Sequence, residues 1–129
     1  GLARHRKEAG KDHIQWLEKR LKSEKIFEQR IGLRSLQYWV EDTSAEALPV
    51  AFRLLTPVMR SALPELRIEL LSTLKALIRK SPTETAYFLT QNLASPFSPE
   101  APWLIRKLLR DFPLEIQQGL REALRKESQ

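Results

Sequence analysis

The sequence predicts an all-α fold made of repeated helical hairpins, on the basis of three observations. Residues 76–93 recur 31 positions later as residues 107–124. Glycine accounts for only 4 of the 129 residues, and the apolar 42% recurs at the three- and four-residue spacing of amphipathic helices. Signals for the start of a helix stand in the middle of both copies. The repeated unit is therefore predicted to be a helix, a corner and a second helix.

The two copies are identical at positions that a hairpin corner and its packing require. Of the 18 aligned positions, 6 match: Leu77/Leu108, Arg79/Arg110, Pro82/Pro113, Glu84/Glu115, Leu89/Leu120 and Leu93/Leu124. Ser81 is expected to cap the second helix, Pro82 suits its first position, and Glu84 completes a capping box. The corner is thus predicted to be sharp and to begin a new helix at once.

A third, weaker copy lies 38 residues upstream of the first. Residues 43–46, TSAE, repeat the capping box. Val40 takes the place of Ile78, and Leu55 takes the place of Leu93. The chain is therefore predicted to hold about three hairpins.

The first elements in chain order are a basic segment and two helices. Residues 1–10 lack apolar periodicity and are expected to form a flexible tail. An amphipathic helix is predicted over residues 11–22, and the next runs over residues 23–42. In that second helix, Gly32 is predicted to make a close contact with a neighbouring element.

The later helices are separated by proline-rich connections. The helix that follows the third copy's capping box holds Pro57, which is deep enough to kink or end it. The remaining helices are predicted over residues 64–80, 82–94, 103–112 and 114–126. Residues 95–102 hold 3 of the 8 prolines and form the longest irregular connection. Residues 11–126 are predicted to be one helical-repeat domain, followed by a tail at residues 127–129.

Positive charge is concentrated at the N-terminus. The chain has a net charge of +6 and a pI near 9.9. Residues 1–25 hold 8 Lys/Arg against 4 Asp/Glu, which gives +4. The rest of the chain is close to neutral, which argues against one continuous track for nucleic acid along all the repeats.

Residue types that support catalysis or metal binding are scarce. The sequence has no cysteine, its histidines are His5 and His13, and it has no glycine-rich phosphate loop or glycine-flanked nucleophile. We therefore expect a protein that is not an enzyme and that needs no metal or cofactor. No apolar run approaches the roughly 20 residues needed to cross a bilayer, and no signal-peptide core is present. A cytoplasmic location, or a nuclear one in a eukaryote, is expected, with no membrane partner.

Paired helices repeating at 31 and 38 residues, with a proline at the corner and an arginine ending the first helix, resemble HEAT and armadillo repeats. The resemblance covers residues 24–126. It implies a right-handed α-α superhelix, a short solenoid of about three hairpins and roughly seven helices. Within that class, the segment WLIRK at residues 103–107 is similar to helix starts in the HEAT-like DNA alkylation repair glycosylases. This second similarity implies a basic concave surface that binds DNA.

Two functions are compatible with these features. The first is a non-catalytic binding or scaffold module for a protein partner, which would present a helix or an acidic segment to the repeat surface. The alternative is a domain that binds DNA or RNA by neutralising phosphates. For both, the predicted binding residues are basic: Lys19, Arg20, Lys22, Arg30, Arg34, Arg67, Lys75, Arg79, Lys80, Arg106, Lys107 and Arg110. The last helix, residues 114–126, has a polar outer face, which predicts a monomer.

The surroundings of these arginines distinguish the two functions. If Arg30, Arg34, Arg67 and Arg106 share one face with Lys19 and Lys22, binding of nucleic acid is favoured. If they lie among Glu28, Glu65 and Glu69, binding of a protein is favoured.

Overall fold

The chain is helical throughout the part that the computed structural model describes, which is residues 2–61, 63–94 and 98–127, with side chains from Gly10 onward. Seven α-helices lie in that part: α1 (Leu2–Leu21), α2 (Ile26–Asp42), α3 (Leu48–Ser61), α4 (Arg67–Lys80), α5 (Pro82–Ala94), α6 (Ala101–Leu108) and α7 (Leu114–Glu127). Short 3-10 turns lie at Ala45–Ala47, Pro64–Leu66 and Leu109–Asp111. These ranges contain no strand, so the predicted all-α class is confirmed.

Most helix ends lie close to the predicted ones. The ends of α5 are those predicted, and α7 extends one residue beyond its predicted end. The largest difference is in α1, which begins at Leu2 rather than at residue 11. The predicted flexible tail covers residues 1–10. The backbone of this segment belongs to α1 from Leu2 onward, whereas residue 1 and the side chains of residues 2–9 lie outside the described part. Residues 128–129 of the predicted C-terminal tail lie outside it as well.

Of the two outcomes predicted for Pro57, a kink or the end of its helix, the end is wrong, because α3 continues past it to Ser61. A proline inside a helix removes one backbone hydrogen bond and costs about 3 kcal/mol. On either side of it, Leu55, Val58 and Met59 are buried in the core. Burial of each such side chain contributes about 1.5–3 kcal/mol, so packing offsets the lost bond.

Each hairpin turns at a residue with an extended backbone. Thr43, Ser81 and Phe112 have φ/ψ values of −101°/166°, −157°/96° and −96°/152°. Each N–H still donates to a carbonyl of the preceding helix, at 3.4 Å to Val40, 2.8 Å to Leu77 and 3.2 Å to Leu109. The three residues occupy equivalent places in the repeat, so the same corner is built three times.

The serine cap is made in one of the two predicted capping boxes. The Glu84 N–H donates to Ser81 Oγ over 3.4 Å. The Ser81 N–H is bonded to the Leu77 carbonyl, so it closes α4 and is not capped by the glutamate side chain. Ser44 makes no side-chain cap, because the Ala47 N–H that it would accept already bonds the Ser44 carbonyl at 3.1 Å. The box predicted at residues 43–46 has Thr43 as its capping residue, but Thr43 ends α2 and the residue that precedes the 3-10 turn is Ser44, so this box is not formed as predicted.

The hairpins pack in chain order. The first helices of the three hairpins, α2, α4 and α6, lie side by side, and α5 packs on α4, α6 and α7. Two of the three leucine pairs shared by the copies are at most 1% exposed, namely Leu77/Leu108 and Leu89/Leu120, whereas Leu93 is 7% exposed and Leu124 is partly buried. The buried Thr73 hydroxyl of α4 lies 3.2 Å from the Leu33 carbonyl of α2, which adds a polar contact between neighbouring hairpins. Residues shared between the copies therefore form the core.

The helix α1 covers the first hairpin, packing against both α2 and α3. A Cβ atom at Gly32 of α2 would lie 3.0 Å from Leu21 Cδ2 and 3.1 Å from Arg20 Cβ. The absence of a side chain at this position lets the two helices approach closely. The close contact predicted at Gly32 is confirmed.

Candidate functional site

Several of the predicted binding residues pair with acidic side chains of the neighbouring hairpin. Arg30 of α2 has its Nε 3.0 Å from Glu69 Oε1 of α4, and it donates to the Glu65 carbonyl at 3.1 Å. Arg34 approaches the same Glu69 oxygen at 3.8 Å. Because Glu69 is only 10% exposed, its charge requires such partners to be tolerated. These two arginines thus join α2 to α4.

Arg67 joins α4 to the start of α6. It donates two hydrogen bonds to the Glu100 carboxylate, at 2.7 Å from Nε and 3.0 Å from Nη2. The hydrogen bond to Glu100 raises the pKa of Arg67 above its ordinary value. The guanidinium also lies 4.5 Å from the ring centre of Trp103, and the Lys107 ammonium lies 5.8 Å from it. Both predicted cations are therefore in contact with Trp103.

A third connection joins the C-terminal ends of α2 and α4. Arg79 Nη2 lies 3.2 Å from Glu41 Oε1, and Lys80 donates to the Thr43 carbonyl at 2.9 Å. Both members of the ion pair are exposed, so it contributes at most about 1 kcal/mol. Lys80 satisfies a carbonyl at the hairpin corner, where the preceding helix has ended.

The basic face of α1 is organised around Glu18 and Trp16. Lys22 Nζ lies 2.9 Å from Glu18 Oε1, and Arg53 Nη1 of α3 lies 3.6 Å from the same oxygen. The hydrogen bond from Lys22 lowers the pKa of Glu18, and the charges of Lys22 and Arg53 act in the same direction. The Arg20 guanidinium lies 4.8 Å from the ring centre of Trp16. Of the three predicted cations at the end of α1 and just after it, Arg20 and Lys22 are thus already in contact with other side chains.

Four predicted binding residues are exposed and make no ion pair, side-chain hydrogen bond or ring contact within the described ranges: Lys19, Lys75, Arg106 and Arg110. They lie on α1, α4, α6 and the 3-10 turn after α6, respectively. The arginines of α2 and α4 that form ion pairs lie against glutamates of neighbouring hairpins, so their charges have partners within the fold. Whether any of the twelve predicted residues contacts a partner stays a prediction.

An open groove runs between α3 and α5. Its floor is formed by Phe52 and Phe88, whose ring centres lie 4.9 Å apart at an interplanar angle of 33°. One part has a volume of about 350 Å³ and is lined by Pro49, Phe52, Glu84, Tyr87, Phe88 and Gln91. The other, of about 340 Å³, is lined by Phe52, Arg53, Thr56, Arg60, Phe88, Gln91 and Asn92. The shared lining residues make the groove continuous.

The lining residues form one stripe on each helix. On α3 they are positions 49, 52, 53, 56 and 60, and on α5 they are positions 84, 87, 88, 91 and 92. Residues at these spacings share a helix face. Each stripe lies beside the stripe that enters the core, so each helix has one face in the core and an adjacent face on the groove.

Two polar side chains in the groove are already bonded within the fold. Thr56 Oγ1 donates to the Phe52 carbonyl at 3.0 Å. Asn92 Nδ2 donates to the Phe88 carbonyl at 2.8 Å, and its Oδ1 accepts from the Ser98 hydroxyl, also at 2.8 Å. Ser98 thus holds Asn92 in place. The hydrogen-bonding capacity of these groups is largely used.

The charged side chains of the groove lie at opposite ends. One end of the groove lies along the middle and the C-terminus of α3 and is lined by Arg53 and Arg60. Arg53 is 58% exposed, and Arg60 makes no ion pair in the described part of the chain. Glu84 lines the other end together with Tyr87. Tyr87 is 67% exposed and forms an apolar wall. The groove therefore has an aromatic floor, a basic end and an acidic end.

No family model, curated protein or solved structure matches this chain. Among the described residues, no group of three or more His, Cys, Asp or Glu side chains is placed to hold a metal ion. In the same residues no helix is both long enough and apolar enough to cross a bilayer. The groove is therefore interpreted from its own chemistry.

A second cavity, of about 320 Å³, lies where α1, α2 and the end of α3 meet. Gln29 lines it, is 5% exposed, and has no hydrogen-bond partner in the described chain for its buried Oε1. Because Gln29 lines an open cavity of this size, water can reach its amide.

Sequence reasoning did not identify the groove residues Phe52, Arg53, Arg60, Tyr87 and Phe88. The available signal was an aromatic residue on the edge of a core stripe, such as Phe88 directly before Leu89. A wide apolar stripe of this kind indicates that a helix contacts more than its own partner. The sequence does not show which part of the stripe a neighbouring helix leaves uncovered.

Proposed function

We propose that the chain is a non-catalytic helical-repeat module that binds a protein partner, and that the partner lays a helix into the groove between α3 and α5. The side-by-side packing of α2, α4 and α6 supports the further proposal that the hairpins follow a right-handed superhelical path of the HEAT and armadillo kind. On this proposal the module acts as a monomer, in the cytoplasm or nucleus.

The observation that carries the proposal is the open aromatic floor of the groove. Phe52 and Phe88 form it, and Tyr87 stands beside it with 67% of its surface exposed. Phe88 is 8% exposed and Phe52 is half-buried, so most of the exposed surface comes from Tyr87. Exposed apolar surface in a concave site is typical of protein-binding sites. Tyrosine and phenylalanine are also the residue types that dominate the energy of such contacts.

A helical partner fits the groove better than an extended peptide. An extended peptide requires hydrogen-bond partners for its main chain, which the groove would have to supply. Thr56 and Asn92 are already bonded to carbonyls of their own helices. A helix satisfies its main chain internally and offers an apolar stripe to the floor.

A selection from a displayed library of helical peptides tests the proposal. Peptides enriched on the wild-type chain should bind the Tyr87→Ala variant about tenfold more weakly, because an aromatic side chain in a binding groove contributes on the order of 1–2 kcal/mol. The matched control is Tyr38→Ala, which removes an equally exposed tyrosine, 72% exposed, from α2 outside the groove. Equal binding to all three proteins, or no enrichment, would overturn the proposal.

Nucleic-acid binding is the second candidate, and the arrangement on α1 favours it. His13 stacks on Trp16 at 6.1 Å between ring centres, Arg20 lies over the same indole, and Lys19 is exposed nearby on α1. Cations beside aromatic rings are common in sites for single strands. Titration with single-stranded DNA, single-stranded RNA and duplex DNA at low and moderate salt tests it. Binding that weakens steeply with salt and is lost in Lys19→Gln supports this candidate, and no binding at low salt rejects it.

A further inference from the structure

We propose that the partner helix is acidic and places two carboxylates, seven residues apart, against Arg53 and Arg60. This inference rests on the proposed function, because it concerns the chemistry of the segment that the groove binds. It assigns a specificity role to two arginines at the basic end of the groove.

The spacing of the two arginines sets the spacing of the carboxylates. Arg53 and Arg60 are seven residues apart on α3 and line the same part of the groove. Seven residues make two helical turns and a rise of about 10.5 Å. A partner helix that lies along α3 rises by the same amount per residue, so two of its carboxylates seven positions apart can meet both guanidiniums. The partner's residues between the two carboxylates then face Thr56, and its apolar stripe continues past Arg53 onto the aromatic floor.

The charge distribution also favours an acidic partner. Arg60 makes no ion pair within the described part of the chain, and Arg53 has only the 3.6 Å contact with Glu18. The groove's own carboxylate, Glu84, lies at the opposite end beside Tyr87. A helix with acidic residues at one end of its apolar stripe therefore has one favoured orientation, because the reverse orientation would bring its carboxylates to Glu84.

Glu18 competes with the partner for Arg53. It lies closer to Lys22, at 2.9 Å, than to Arg53, at 3.6 Å, so it keeps a cation when Arg53 turns toward a ligand. Removal of its charge should release Arg53 and strengthen binding of an acidic helix about twofold. This effect is opposite in sign to that expected for loss of a groove residue.

Three synthetic helical peptides test the inference by fluorescence anisotropy. They share an alanine-based sequence of about 18 residues, long enough to form an isolated helix, with leucines on one face. They differ at two positions seven apart, which hold Glu/Glu, Gln/Gln or Lys/Lys. We expect the Glu/Glu peptide to bind about tenfold more tightly than the Gln/Gln peptide, and the Lys/Lys peptide to bind most weakly.

Protein variants assign the preference to the two arginines. Arg53→Met and Arg60→Met should each reduce the tenfold preference to about threefold, and the double variant should abolish it. Arg125→Met is the matched control, since Arg125 is exposed on α7, has no ion pair in the described residues and does not line the groove. Glu18→Gln should increase the preference.

The outcomes separate this inference from the proposal on which it rests. If the Gln/Gln peptide binds as tightly as the Glu/Glu peptide and both require Tyr87, the proposal of an acidic partner is overturned. The proposal that the groove binds a helix is then supported. If no peptide shows binding that depends on Tyr87, the groove proposal fails as well. If the double variant still prefers the Glu/Glu peptide to the Gln/Gln peptide, cations other than Arg53 and Arg60 bind the carboxylates, and the role given to these two arginines is overturned.

Discussion

The same substitution, glycine to alanine, should have opposite effects at two helical positions of this chain. Gly32 lies at the crossing of α1 and α2, where an added Cβ would come within 3.0 Å of Leu21 Cδ2 and 3.1 Å of Arg20 Cβ. Gly119 lies on the exposed side of α7, where an added Cβ meets no atom within 4 Å. The pair therefore separates helix propensity from packing.

The magnitudes follow from these two environments. Alanine is favoured over glycine inside a helix by about 1 kcal/mol, so Gly119→Ala should stabilise the fold by about that amount. Gly32→Ala gains the same term but forces an overpacked contact, which costs about 1–3 kcal/mol. The Arg20 Cβ is fixed to its backbone and has little room to retreat, whereas the Leu21 methyl can rotate. The variants should thus differ by about 1–3 kcal/mol, because the propensity term cancels between them.

Thermal and urea denaturation followed by far-UV circular dichroism measures the difference. A change of 1 kcal/mol shifts the Tm of a domain of this size by about 4 °C. Gly119→Ala should therefore melt about 4 °C above the wild type, and Gly32→Ala at or below the wild type. Equal stabilisation by both substitutions would refute the close crossing of α1 and α2.

Three further substitutions test individual contacts. Ser81→Ala removes the 3.4 Å acceptor of a helix N–H and should cost about 0.5–1 kcal/mol in urea denaturation; an unchanged midpoint would contradict the cap. Arg67→Met leaves Glu100, 13% exposed, without two donors and should cost about 1.5–3 kcal/mol. A double-mutant cycle with Glu100→Gln should recover part of this loss, whereas additive losses would contradict the pair. Because the folded pKa of Glu18 is lowered, its ion pairs stabilise the fold above the ordinary value of 4.5 and lose their effect as pH falls through the lowered pKa. The Tm difference between wild type and Glu18→Gln should therefore disappear in acid, and a constant difference would contradict this.

The hairpin corners could be predicted from the sequence because their chemistry is local. Pro82 begins α5 and Pro113 directly precedes α7, where the missing N–H of proline costs no helical hydrogen bond, and Ser81 reaches an N–H three residues ahead. The partners of Ser44 and Ser98 could not be predicted in this way. A hydroxyl can choose between a cap and any nearby acceptor, and the position of Asn92 beside Ser98 depends on how α5 meets the following segment.

The candidate site was less accessible from the sequence than the fold. The sequence shows which residues are basic. It does not show that Arg30 pairs with Glu69 or Arg67 with Glu100, because these pairs depend on the alignment of separate hairpins. The groove depends on a distance between two helices that is absent from their individual periodicities. Residues such as Phe52 therefore look like ordinary core residues until the position of α5 is known.

The polar connections between hairpins share a property that bears on how the chain folds. The contacts of Arg67 with Glu100 and of Thr73 with Leu33 join residues 33 and 40 positions apart, and those of Arg30 and Arg79 fall within that interval. Each connection thus spans about one repeat, so closing it orders a loop of constant length. Folding can then nucleate in any hairpin and spread to its neighbour. A weakened contact between α4 and α6 should therefore slow only the docking of the last hairpin. The rate at which α1 to α5 assemble should stay unchanged.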